Sequence, residues 1–74
     1  MDIYEELKMI SSQQDFIDFI KFLQKDFKNN PDDWENDDIL NFLSGMEGYT
    51  FDKKIEHPSW KDFAEILLAA RVYE

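Results

Sequence analysis

The chain has 74 residues, no cysteine and a single histidine, which is room for one small domain and excludes a disulfide-stapled scaffold. Seventeen Asp and Glu stand against eight Lys and Arg, a net charge of −9. That balance argues against nucleic acid as a ligand, because such binding rests on Lys and Arg neutralising phosphates, and against anionic membrane surfaces.

MDIYEELKMI lacks the basic start and continuous apolar run of a secretory signal, and no stretch approaches the ~20 apolar residues of a membrane span, so a cytoplasmic location is expected. Stability must come from apolar packing, and 16% of the residues are aromatic, including seven Phe and two Trp. Each large aromatic can bury about 150–250 Å².

Apolar residues recur at helical spacing throughout, which predicts an all-α bundle of about four helices, the first one short. The first segment, residues 2–9, places Ile3 and Leu7 four apart, with Ile10 following. The second opens at Ser12, a candidate N-cap with Asp15 three residues on. Phe16, Phe19, Ile20, Leu23 and Phe27 form its apolar stripe, and Asn29, Asn30 and Pro31 end it.

Residues 38–47 make the third helix, with Ile39, Phe42, Leu43 and Met46 on one face and Gly48 as the left-handed closing residue. Residues 49–58 read as an irregular connection lying against the core through Tyr49, Phe51 and Ile55. The fourth helix starts after Ser59, with Asp62 at the third position. It carries Trp60, Phe63, Ala64, Leu67 and Ala70 on one face through to the C-terminus.

Between the second and third helices lies DDWENDD, residues 32–38. As a calcium loop it fails in either register. Counting from Asp33 puts Asp38 where an EF-hand needs glycine and Ser44 where it needs the bidentate glutamate; counting from Asp32 puts Trp34 at a ligand position. The acids instead suit the start of a helix, where negative charge is stabilised by the dipole at about 0.3–1 kcal/mol each. Asn36 and Asp38 are both candidate N-caps. Trp34 is expected to fold back over Ile39 or Leu43 as a hydrophobic staple, its indole N–H bonded to one of the surrounding carboxylates.

Trp34-Glu35-Asn36, followed by Ser59-Trp60, Phe63-Ala64, Leu67, Ala70 and Tyr73-Glu74, resembles a family of small bacterial domains of unknown function. In that family a W-E-N element precedes a helix, and an S-W-x-x-F-A-x-x-L-x-x-A-x-x-Y-E helix closes the domain. The resemblance covers nearly the whole chain and implies an α-helical fold; it brings no activity with it. Trp34, Asn36, Trp60 and Phe63 are expected to be structural anchors, with both tryptophans in the core.

Catalytic chemistry finds little support. His57 precedes Pro58 in a loop, and none of Ser11, Ser12, Ser44 or Ser59 lies in a nucleophile-elbow motif. One His and no Cys leave too few ligands for zinc, and no cofactor is expected. Three helix residues, Phe22, Leu68 and Val72, fall outside the apolar stripes. They either meet a neighbouring element or form an exposed patch, and such patches mark interaction surfaces.

The leading expectation is a non-enzymatic protein-binding module. Its apolar patch, rimmed by Asp32, Asp33, Asp37 and Asp38, would mask a basic partner in the manner of an immunity protein or antitoxin. The alternatives are a self-associating homodimer through the same patch and a cation-responsive module using the acidic loop.

Overall fold

The computed structural model describes residues 3–73, and among them the secondary structure is helical, without strands. The expected helix start at Asp2, the side chain of Ile3 and the terminal Glu74 lie outside the described residues. The helices are α1 (Ile3–Lys8), α2 (Gln13–Asn29), α3 (Ile39–Asp52) and α4 (Trp60–Ala70), with a single 3₁₀ turn at Pro31–Asp33.

Each longer helix starts on a polar side chain that satisfies an otherwise unpaired backbone N–H. Ser12 accepts from the Asp15 N–H at 3.1 Å, while the Asp15 carboxylate accepts from the backbone and hydroxyl of Ser11. Asp38, rather than Asn36, caps α3, accepting from the Asn41 N–H at 2.8 Å. Ser59 and Asp62 form the reciprocal capping box of α4. These bonds hold the carboxyls of Asp15 and Asp62 below the ordinary range, Asp15 chiefly through the Ser11 backbone and Asp62 chiefly through the Ser59 side chain.

The organising element is α4, which touches the other three helices and pairs most extensively with α3. Its Ala64 and Leu68 enter a core with Ile10, Phe19 and Leu23, against which Leu7, Phe16, Trp34 and Leu67 pack. Leu68 is therefore a core residue, 4% exposed. In contrast, α2 and α3 scarcely touch each other, although both flank α4.

Four further expectations are corrected. The third helix does not stop at Gly48 but runs to Asp52, and Gly48 keeps an ordinary negative φ. A glycine inside a helix costs only about 1 kcal/mol. Here the added turn carries Tyr49, whose ring packs edge-on against Tyr73 at 5.4 Å and whose hydroxyl donates to Glu65.

The buried side of α3 is also rotated from the expected face. Gly45 is buried and Phe42, Met46 and Tyr49 are half-buried, whereas Ile39 and Leu43 are exposed. Phe51 lies at the end of the helix rather than in a core-packed loop and is 86% exposed.

Finally, Trp60 and Phe63 are not fully buried. They are 38% and 43% exposed and cluster with Phe16 at the start of α4. Trp60 is the first helical residue after the cap, beyond the reach of the layers that close over Ala64 and Leu68.

Candidate functional site

The W-E-N element ties the loop before α3 to the other helices. The indole of Trp34 stacks on Phe42 of α3 at 5.8 Å and meets Phe27 of α2 edge-on at 5.1 Å. Its N–H donates to Asp26 on α2 at 2.8 Å, not to the carboxylates of its own loop. The Arg71 guanidinium, just beyond α4, also donates to Asp26, at 3.3 Å, and lies 5.7 Å from the centre of the indole. One carboxylate thus serves a ring donor and a cation, a half-buried arrangement stronger than a solvated pair.

Two residues on, Asn36 closes the end of α4. Its side-chain amide donates to the carbonyls of Ala70 and Tyr73 at 2.8 and 2.9 Å, and its backbone N–H donates to the Arg71 carbonyl at 2.9 Å. The last carbonyls of a helix lack partners within it. Asn36 supplies them from 34 residues away in sequence.

Anchoring Trp34 this way leaves an apolar groove between α2 and α3. Ile20, Leu23, Gln24 and Phe27 form one wall, Phe42 the other, with Leu67 of α4 and Trp34 completing a hollow of about 380 Å³. Gln24 is its only polar lining residue. A second hollow of about 210 Å³ shares Phe27, Trp34 and Phe42 and continues past Ile39 to Asn36, Asp37 and Asp38. The groove is therefore apolar along its length and acidic at one end.

Of the acidic residues singled out from the sequence, Asp37 and Asp38 stand at this groove, Asp38 also capping α3. Asp32 and Asp33 are exposed in the 3₁₀ turn. The three apolar residues do not form the expected patch. Phe22 is half-buried, stacked on Phe19, and lines a hollow with Lys25 and Asp26; Leu68, 4% exposed, and Val72 line a different one together, with Leu7 and Tyr49.

The groove itself was hidden in the sequence because Ile20, Phe27 and Leu67 belong to stripes that read as core. The usable signal is that Phe27 prolongs the α2 stripe a turn past Leu23, the last buried residue of that helix.

A separate polar cluster joins α3 to α4. Glu65 accepts from the Tyr49 hydroxyl at 2.6 Å and pairs with Lys53. The Lys53 bond, then the Tyr49 bond, hold the Glu65 carboxyl below the usual carboxylate range, and Lys53 is raised in return. Burial first, and Glu65 second, push the Tyr49 hydroxyl up. All three groups are mutually satisfied, as a tie between helices requires.

Among the described residues no group of three or more His, Cys, Asp or Glu is arranged to hold a metal ion, and no helix is long and apolar enough to cross a membrane. Residues 12–74 match the model of DUF7660, a family of unknown function, and the chain belongs to that family. No curated protein and no solved structure matches the chain.

Proposed function

We propose that this member of the family is a non-enzymatic protein-interaction module whose α2–α3 groove receives an amphipathic helix of a basic partner. One observation carries the reading: two helices that flank α4 without packing on each other leave Ile20, Phe27, Phe42 and Leu67 around an open trough with a single polar lining residue. Amphipathic helices lay their apolar faces into grooves of this kind, at about 8–10 Å from the helices beside them.

Charge supports the identity of the occupant. Asp37 and Asp38 stand at one end of the groove, and a net charge of −9 favours encounter with a positively charged protein. The same field fits the masking of a basic protein, as an immunity protein or antitoxin does.

The test compares capture from a lysate of the native host by the wild type and by Gln24→Lys, an exposed change that sets a charge in the trough. A basic protein held by the wild type, weakened by salt and lost from Gln24→Lys supports the groove. Equal capture by both chains contradicts it.

A further inference from the structure

The apolar surface of the groove does not end at Ile20. On α2, Phe16 lies four residues before Ile20 and shares its face; on α4, Trp60 and Phe63 lie seven and four residues before Leu67 and share its stripe. Ile20 and Leu67 line the larger hollow. One turn beyond them the aromatic rings meet, Phe16 with Trp60 at 5.4 Å and with Phe63 at 6.5 Å. Trp60 and Phe63 stay 38% and 43% exposed. Ile17, also exposed, precedes Gln24 by seven residues and so continues the α2 rim toward them.

Helices α2 and α4 run in the same direction, since Phe16 meets Trp60 near their starts and Asp26 meets Arg71 near their ends. The trough therefore has two chemically different ends. Asp37 and Asp38 stand at one. At the other, the chain neighbours of Trp60 and Phe63 are Lys61 and Asp62, whose charges cancel. At 1.5 Å per residue, Phe16 and Phe27 are about 16 Å apart along α2, which is about three helical turns.

We propose that Trp60 and Phe63 anchor the far end of the helix that the groove receives, an inference that rests on the groove being a helix site. The occupant is a basic amphipathic helix of about four turns. Its basic residues lie over Asp37 and Asp38, its apolar face follows Phe27, Ile20 and Leu67, and a large apolar side chain at its other end meets the aromatic pair. Continuity of the apolar surface and the charge at one end select this occupant. Tryptophan suits the anchor, because it buries a large rigid area and is enriched among residues that dominate binding energy. The dissimilar ends also fix direction. A reversed helix would set its apolar anchor against two carboxylates, desolvating charge without pairing it.

Fluorescence titration with synthetic peptides tests the anchor. The probes are Leu, Ala and Lys helices of about two and about four turns, held helical by a covalent staple because short helices are otherwise marginal. Lysines cluster at one end, each probe is made with the cluster at either terminus, and a scrambled peptide of equal composition reports charge attraction alone. The longer probe should bind the wild type roughly tenfold or more tighter than the shorter one. Trp60→Ala and Phe63→Ala should each remove most of that gain while leaving the shorter probe within about twofold. Tryptophan emission should shift further to the blue with the longer probe than with the shorter, and Trp60→Phe should abolish the difference. Both side chains are more than a third exposed, and circular dichroism verifies that the variants fold.

A longer probe that binds the wild type and both alanine variants equally overturns the anchor and leaves the groove standing. Binding of neither probe above the scrambled peptide removes the groove, and the anchor with it.

Discussion

The side-chain amide of Asn36 occupies the place that a side chain on Gly45 would take. A Cβ at Gly45 would stand 2.9 Å from the Asn36 Nδ2 and 2.7 Å from the Ala70 carbonyl oxygen. The glycine lets α3 come close to the end of α4, and the asparagine fills the remaining gap with two donated hydrogen bonds. This pair fixes the loop that carries Trp34, and through it one end of the groove.

Gly45→Ala should therefore destabilise the domain by about 1–3 kcal/mol, the usual cost of overpacking, because one of the atoms in the way is a backbone carbonyl. Gly48 is the matched control. Only the Tyr73 ring, at 3.2 and 3.3 Å, faces it, and a ring can shift where a carbonyl cannot. Alanine there should lie within about 0.5 kcal/mol of wild type or improve on it through helix propensity. Chemical denaturation of the two variants side by side gives the comparison.

Asn36→Ala should cost about 1–3 kcal/mol by leaving two half-buried carbonyls without donors. Asn36→Asp should be worse than Asn36→Ala at neutral pH despite its near-identical shape, since it turns a donor toward two acceptors into a third acceptor. An aspartate variant as stable as wild type would mean that Asn36 fills space and that its hydrogen bonds contribute nothing.

The two tryptophans should separate clearly. Trp34→Ala removes contacts with Phe27 and Phe42 and one donor to Asp26, which keeps Arg71, and should cost about 3–5 kcal/mol. Trp60, 38% exposed at the first turn of α4, should cost about 1–2 kcal/mol when truncated. Thermal unfolding monitored by far-UV circular dichroism ranks them.

Much of this architecture was legible in the sequence. Ser12 and Ser59 mark real helix starts because hydroxyl capping is a local interaction, readable from neighbours alone. The face of α3 was misread because its closest approach is made at a glycine. A pattern of large apolar residues points to Ile39 and Leu43, while the packing chose Gly45. Asp26 as the partner of Trp34 was equally hidden, since eight residues and a turn separate them. The groove depends on α2 and α3 not meeting, a tertiary fact to which periodicity is blind.

The Glu65–Lys53–Tyr49 tie predicts a pH profile. The Glu65 carboxyl is depressed in the folded state, so its stabilisation is present above its ordinary value of 4.5 and is lost as pH falls through the folded value. Lys53 is raised, so its share is present below its ordinary value of 10.5 and is lost as pH rises through the folded value. The stability difference between wild type and Glu65→Gln should therefore be widest between those limits and shrink on both sides. Denaturation midpoints measured across that range check it. A difference that stays constant with pH would leave the tie without electrostatic weight.

The most direct measurement for the groove is site-specific photocrosslinking in cells of the native host. A photoreactive residue replaces Gln24, which lines the trough, or in a parallel strain its neighbour Lys25, which lines the hollow beside Phe22 instead. The groove account predicts a single covalent adduct with a basic protein from position 24, absent from position 25. Adducts of equal yield from both positions, or none from position 24, would contradict it.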